Sequence, residues 1–331
     1  MSKETLRPIE YLALSLGVIG AGLLSLCLGS VNVPLKEIWA ALFQGGDYSG
    51  VIVQVRLPRT LVAGLMGACL SLAGGAMQGL LRNPLADGST LGVSSGAALG
   101  AVLAIGFGLS LGGVSAVTPM AILFAFLSLL LILSLAFRLD YSLSTNTIIL
   151  LGVIFSMFAG SLISLMVTFA GEKVKTIVFW TMGSLASSSY SQALILALAL
   201  LACGGLLLAK ARELNAFAIG EDNARNLGIE VRRVKLVVLV SVSVLIGVAV
   251  SIGGTIAFVG LVIPHMVRLV LGPNHRRLLP TCLFAGSAFL MLADLLSRTL
   301  LSPRELPIGV ITSLIGSVIF VYIFSRNRRI R

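Results

Sequence analysis

The chain is a succession of long apolar runs separated by short polar breaks. The runs fall at residues 11–30, 60–81, 90–108, 116–137, 145–170, 190–209, 234–252, 255–271, 279–297 and 307–325. They are continuous rather than alternating at every second residue, which points to helices and away from a membrane β-barrel. A helix crosses the hydrocarbon core with about 20 apolar residues. The pattern therefore predicts an all-α, polytopic transmembrane protein of about ten helices, forming a single domain over residues 1–331. The eighth run is short and begins just after Gly253-Gly254. The first run follows Lys3 and Arg7, as the h-region of a signal peptide would. It is too long for one and lacks an A-x-A-like cleavage site, so it reads as an uncleaved first span.

Composition agrees. Hydrophobic residues make up 57% of the chain and charged residues 11%, whereas soluble domains are about half apolar and about a quarter charged. The basic residues are unevenly placed. Ten spans put Lys3, Arg7, Arg82, Arg138, Lys210, Arg212, Arg225, Arg232, Arg233, Lys235, Arg268, Arg276, Arg277, Arg326, Arg328, Arg329 and Arg331 on one side. Lys36, Arg56, Arg59, Lys173, Lys175, Arg298 and Arg304 fall on the other, a division of 17 against 7 that accounts for all 24. The positive-inside rule then places both termini in the cytoplasm. The net charge of +11 reads as this topological bias and not as a nucleic-acid footprint. The basic tail from Arg326 is a stop-transfer anchor at the membrane lipid surface.

Packing signals lie in the glycines. Gly92, Gly96, Gly100 and Gly108, with Ala104 in the gap, recur at multiples of four on the third span, and Gly75 and Gly79 lie four apart on the second. Such rows let another backbone approach closely. Cys27, Cys69, Cys203 and Cys282 all sit in apolar runs without C-x-x-C spacing and read as small buried hydrophobes. His265 and His275 alone cannot build a metal site, so no metal ligands are assigned.

The chemistry is defined first by what is missing. No segment matches G-x-x-x-x-G-K-[ST], and no Gly-Lys pair occurs, so no P-loop is present to bind ATP. G-x-S-x-G and H-E-x-x-H are absent too, and no catalytic residues are assigned. Carboxylates are nearly absent from the spans. Asp294 is the exception, four residues before Arg298, where an i,i+4 pair forms readily. The longest cytoplasmic loop, about 210–235, reads AKARELNAFAIGEDNARNLGIEVRRVK from Ala209. It predicts two short helices, one ending before Gly220 and one from Glu221 to Leu227, with Gly228 as the C-terminal cap. Its mixture of acidic, amide and apolar side chains suits a partner surface. On the opposite side QVRLPRTL places Arg56 and Arg59 where positive charge is least expected, which suggests binding of an acidic partner.

These segments carry a resemblance. RLPRTL at 56–61, GGAMQGLLRNPLADGSTLGVSSGAALGA at 74–101, IGEDNARNLGI at 219–229, FVGLVIPHMVR at 258–268, RRLLP at 276–280, LADLLSR at 292–298 and ELPIGVITSLIG at 305–316 closely resemble the FecCD-type permeases. These are the membrane subunits of ABC importers for ferric siderophores, haem and cobalamin. The resemblance runs through nearly the whole chain, in order.

It implies a ten-helix subunit with an inverted repeat of helices 2–5 and 7–10, placed in the bacterial cell (inner or plasma) membrane. It also implies a second permease subunit as dimer mate (the same chain or a close paralogue), two ATP-binding cassette subunits that bind ATP and Mg, and an extracytoplasmic substrate-binding protein. No cofactor belongs to this chain. Residue by residue, it implies docking of the binding protein at Arg56, Arg59 and Arg298. Coupling to the ATPase falls at Gly220, Glu221, Leu227 and Gly228. A cytoplasmic gate falls at Asn83 and Leu85 after the second span and at Thr145 and Asn146 at the start of the fifth. For the gate residues a plain turn at Asn83-Pro84 and a helix cap at 144–146 are the simpler readings. One departure stands out: after Asn-Pro-Leu-Ala the family often continues Asp/Glu-Pro-Gly, whereas this chain has Asp87-Gly88-Ser89. The rival function is a secondary transporter of a small solute, disfavoured by the scarcity of intramembrane charge.

Overall fold

The computed structural model describes residues 7–29, 31–87, 91–140 and 143–328; Gly88 and Ser89 of the departing segment lie outside these residues. The chain forms the helices α1 (Pro8–Cys27), α2 (Leu35–Phe43), α3 (Ser49–Leu80), α4 (Val93–Phe107), α5 (Val117–Leu139), α6 (Thr145–Phe169), α7 (Val174–Thr181), α8 (Tyr190–Ala209), α9 (Ala211–Ile219), α10 (Glu221–Asn226), α11 (Val231–Gly253), α12 (Val259–Leu271), α13 (His275–Thr299) and α14 (Ile308–Arg328). Among the described residues the β structure is one antiparallel pair, Ser110–Leu111 with Val114–Ser115.

Every apolar run coincides with a helix. Among the described residues seven helices, α1, α3, α5, α6, α8, α11 and α13, are long and apolar enough to cross a membrane. The apolar parts of α4, α12 and α14 are shorter. A helix of 15 residues, such as α4, rises about 22 Å at 1.5 Å per residue, less than the roughly 30 Å hydrocarbon core. The irregular backbone before α12 and α14 is hydrogen-bonded within the protein, as the bilayer demands. Before α12, Ser184 N donates to Gly253 O (3.0 Å), and Thr255 Oγ1 donates to Thr181 O. Ile308 N and Gly309 N donate to Gly183 O and Met182 O, both at 3.1 Å.

The axis of the bundle is α3, almost wholly buried and packed on α13, α11 and α12. It opens with a wide π turn, Ile52–Arg56, just before Pro58. The ring at Pro58 removes one N–H and crowds the preceding turn, which widens to relieve it. Close approach comes from paired small residues. A methyl group on Gly67 would overlap the Gly286 carbonyl, and one on Gly74 would overlap Gly260. Of the expected row on α4, Gly96 and Gly100 meet Ser128, Phe124 and Met120 of α5, Gly92 at the N-cap lies against Gly152 of α6, and Gly108 caps the far end. Pro264 inside α12 leaves the Gly260 carbonyl without its helical donor. Gln78 Nε2 supplies one, to Gly260 O (3.4 Å) and Leu261 O (3.1 Å), and Arg268 Nη2 holds Gln78 Oε1 (3.3 Å). The four cysteines are free thiols, Cys69 and Cys282 buried and the other two partly so.

Candidate docking, coupling and gate sites

The helix ends that the charge pattern assigns to one side meet each other. On the expected outer side, three arginines tie α1, α3 and α13 together. Arg56 Nη1 donates to Leu26 O (2.7 Å) and Cys27 O (3.4 Å), and Nη2 donates to Val31 O, so that it satisfies carbonyls left open at the end of α1. Arg59 Nε faces both Asp294 carboxylate oxygens at 3.0 and 3.1 Å, while Nη1 forks onto Glu305 at 2.9 and 3.0 Å. Arg298 Nη2 donates to Ser25 Oγ (2.7 Å), whose own hydroxyl meets Thr60 Oγ1 at 2.9 Å. The expected Asp294–Arg298 pair is present at 3.6 Å, but Arg59 is the nearer partner, at 2.9 Å. Arg56, Arg59 and Arg298 are only 4%, 7% and 7% exposed. Their guanidinium groups lie inside, and Glu305 is the exposed member of the cluster. Sequence spacing could not find Arg59–Asp294, because 235 residues separate them.

On the opposite side, α9 and α10 form the two short helices expected on either side of Gly220. Leu214 and Phe217 of α9 are fully buried, which seats the helix on the bundle. Asn215 fixes it to α13: its Oδ1 accepts from His275 N (2.7 Å) and its Nδ2 donates to Asn274 Oδ1 (2.9 Å), the cap of α13. Gly228 has φ +79°, and Gly228 N and Ile229 N donate to Arg225 O (2.9 Å) and Ala224 O (3.1 Å). This is the paired-bond cap that favours glycine at C′. A side chain there would meet nothing within 4 Å, so the backbone conformation alone sets the requirement. Leu227 and Ile219 are each 69% exposed. Glu221 turns inward instead and pairs with Lys235 Nζ at 2.8 Å.

The expected gate residues lie on the same side. Asn83 Oδ1 accepts from Leu85 N (2.9 Å), a local turn that leaves Leu85 55% exposed. At the start of α6 the capping is done by Ser144, whose Oγ accepts from Thr147 N (3.4 Å), with Asp140 Oδ2 accepting from Ser144 N (3.1 Å). Thr145 is half-buried and Asn146 exposed, and neither caps the helix. Leu143, just before the cap, has φ +53° and is fully buried, and its carbonyl accepts from Lys235 Nζ at 2.8 Å. Lys235 is itself 1% exposed. Its sequence position, at the edge of a basic loop, gave no sign of this burial.

A cavity of about 260 Å³ lies between α3, α4, α6, α11 and the irregular segment before α12. Ser94, Ser95, Ser156 and Thr255 line it among apolar walls, with Asp87 as the charged member of the lining. Ser156 Oγ is buried there without a hydrogen-bond partner. Hydroxyls in an otherwise apolar wall suit passage of a polar solute without strong retention.

Apolar helices long enough to cross a membrane place the chain among helical membrane proteins, and the cavity and exposed helix pair suit a transport subunit. Residues 17–326 match the model of the FecCD transport family, and the chain belongs to that family. It is 38% identical over 307 residues to the cobalamin import system permease protein BtuC of Halobacterium salinarum, covering 92% of this chain and 82% of that one. It is 36% identical over 331 residues to the molybdate import system permease protein MolB of Haemophilus influenzae, covering 97% of each. With the hemin transport system permease protein HmuU of Yersinia pestis it shares 35% over 333 residues, covering 98% and 96%. A solved inward-facing conformation of a metal-chelate type ABC transporter superimposes with a TM-score of 0.88 at 35% identity, over 97% of this chain and 100% of that one. The chain is thus a multi-pass permease of the ABC importer class.

Proposed function

We propose that this chain brings an iron-siderophore or a similar metal-centred chelate, such as haem or cobalamin, into the cytoplasm of a bacterial cell, driven by ATP hydrolysis on two separate cassette subunits. The observation that carries this reading is the α9–α10 pair. It is seated on the bundle by Leu214 and Phe217 and displays Ile219 and Leu227 to a partner. Family membership supplies the class of that partner. The relatives carry ligands as different as cobalamin, molybdate and hemin, and we favour a metal chelate because the neighbouring solved transporter is of that type.

In this reading Gly220 and Gly228 shape the coupling element, Leu227 contacts the ATPase, and Glu221 sets the position of α10 from within. A second permease subunit packs so that Asn83, Leu85, Thr145 and Asn146 close the inner gate. The exposure of Asn146, which does not cap α6, and of Leu85 supports this reading. An extracytoplasmic binding protein docks over the ends of α1, α3 and α13. Arg56, Arg59 and Arg298 support that surface from beneath, three guanidinium groups against the two carboxylates Asp294 and Glu305, leaving a formal +1. Both termini lie in the cytoplasm.

Co-purification tests the assembly. The chain is expected to retain an ATP-binding cassette subunit in detergent, and Leu227→Glu is expected to release it. Retention unchanged by Leu227→Glu, together with no crosslink from a cysteine at 227 to the cassette, would contradict the coupling assignment.

A further inference from the structure

The two segments read above as coupling element and gate are joined by one buried side chain. Lys235, in the first turns of α11, has its ammonium group between them. One hydrogen bond runs to Glu221 Oε2 (2.8 Å), the first residue of α10, and one to the carbonyl of Leu143 (2.8 Å), two residues before Thr145. An ammonium group this deeply buried has no water to fall back on, so losing either partner leaves an uncompensated charge or donor. The Leu143 end is stiff. Its backbone is left-handed, its side chain is fully buried, and Asp140 holds the following residue through Ser144 N. The other end is jointed. Gly220, with φ +130° and ψ 150°, separates α10 from α9, Asn223 Nδ2 donates back to Ile219 O (3.0 Å), and α9 is tied to α13 through Asn215. A displacement of α10 would reach the turn before α6 through Lys235.

We propose that Lys235 is a positioning residue of the transport cycle, transmitting movement of α10 to the turn that carries Thr145 and Asn146. This rests on the readings of α9–α10 as the ATPase contact and of Asn146 as part of the gate. A lysine that merely glued two elements together would change stability without changing how the gate responds to nucleotide.

The test uses the assembled complex in proteoliposomes, with the four native cysteines replaced by alanine. Two crosslinking reporters are compared with and without ATP and vanadate: Asn146→Cys against its dimer mate, and Leu227→Cys against a cysteine on the cassette. Without further change, both are expected to respond to nucleotide. With Lys235→Met, the Leu227 reporter is expected to respond still, while the nucleotide response at Asn146 and the uptake per ATP each fall about tenfold, a coupling of ordinary size. Glu221→Leu, which removes the acceptor, is expected to reproduce the loss, and the double variant to add little, because both changes cut one link. Full nucleotide response at Asn146 in Lys235→Met and Glu221→Leu overturns the proposal. If Lys235→Met does not assemble, Glu221→Leu alone decides in the same way. A Leu227 reporter that never meets the cassette defeats the coupling reading, and an Asn146 reporter blind to nucleotide in the unaltered background defeats the gate reading; the proposal falls with either.

Discussion

Asp294 accepts from Arg59 and lies 3.6 Å from Arg298, so two buried cations share this carboxylate, Arg59 having Glu305 as a second partner. Removing one member of such a network is worth about 3–5 kcal/mol, because the remaining charges are stranded. Asp294→Ala is therefore expected to lower the thermal midpoint of the detergent-solubilised protein sharply, and Asp294→Asn, which keeps acceptor atoms, less so. An unchanged midpoint in the alanine variant would remove the network from the account of stability. A smaller effect is expected at Gln78. Gln78→Leu leaves the carbonyl freed by Pro264 without a donor, a loss of about 1–3 kcal/mol on the same measurement, and a neutral result would mean that α12 relaxes to satisfy it. At this scale the sequence was informative about local pairs and blind to distant ones. The i,i+4 relation placed Asp294 beside Arg298. Nothing in periodicity could bring Arg59 to it, so the sequence did not show that Arg59 also has acidic partners within the chain.

Helices declare themselves through caps and length, and both signals worked unevenly. The α9–α10 pair was legible because Gly220 and Gly228 punctuate it and because a helix ending in Leu-Gly suits the paired-bond cap. Gly228→Val forces a β-branched residue toward φ +79°, which costs about 1 kcal/mol or more in that conformation. Uptake by the assembled complex is expected to fall, with ATP hydrolysis either uncoupled or lost through failed assembly. Normal uptake would make α9–α10 a plain connector. The short helices α4 and α12 were read as full spans, since an apolar run does not reveal where its helix begins. In α12 the break follows from Gly254 and the left-handed Phe258, with φ +73° and +69°, which hydropathy cannot register. At α6 the run of Ser144, Thr145 and Asn146 left cap and gate indistinguishable. Only coordinates separate the residue that caps from the two that do not.

At the scale of the molecule, among the described residues, contacts between helix ends fall within the two sets drawn from the charge pattern. Lys235 meets Leu143 and Glu221 on one side; Arg56 meets the end of α1 and Arg59 meets Glu305 on the other. A cysteine near Arg138 or Lys210 is expected to resist an impermeant thiol reagent applied outside intact cells, and one near Lys173 to react; outside labelling at Arg138 would refute the ten-span topology. The central claim is that transport draws on ATP hydrolysed by another subunit and not on an ion gradient. Its most direct measurement is uptake of a labelled metal chelate into proteoliposomes containing this chain, its cassette partner and its binding protein. The account predicts uptake that requires internal ATP, stops with vanadate, and persists when proton and sodium gradients are collapsed. Uptake by this chain alone, driven by either gradient and indifferent to vanadate, would contradict it.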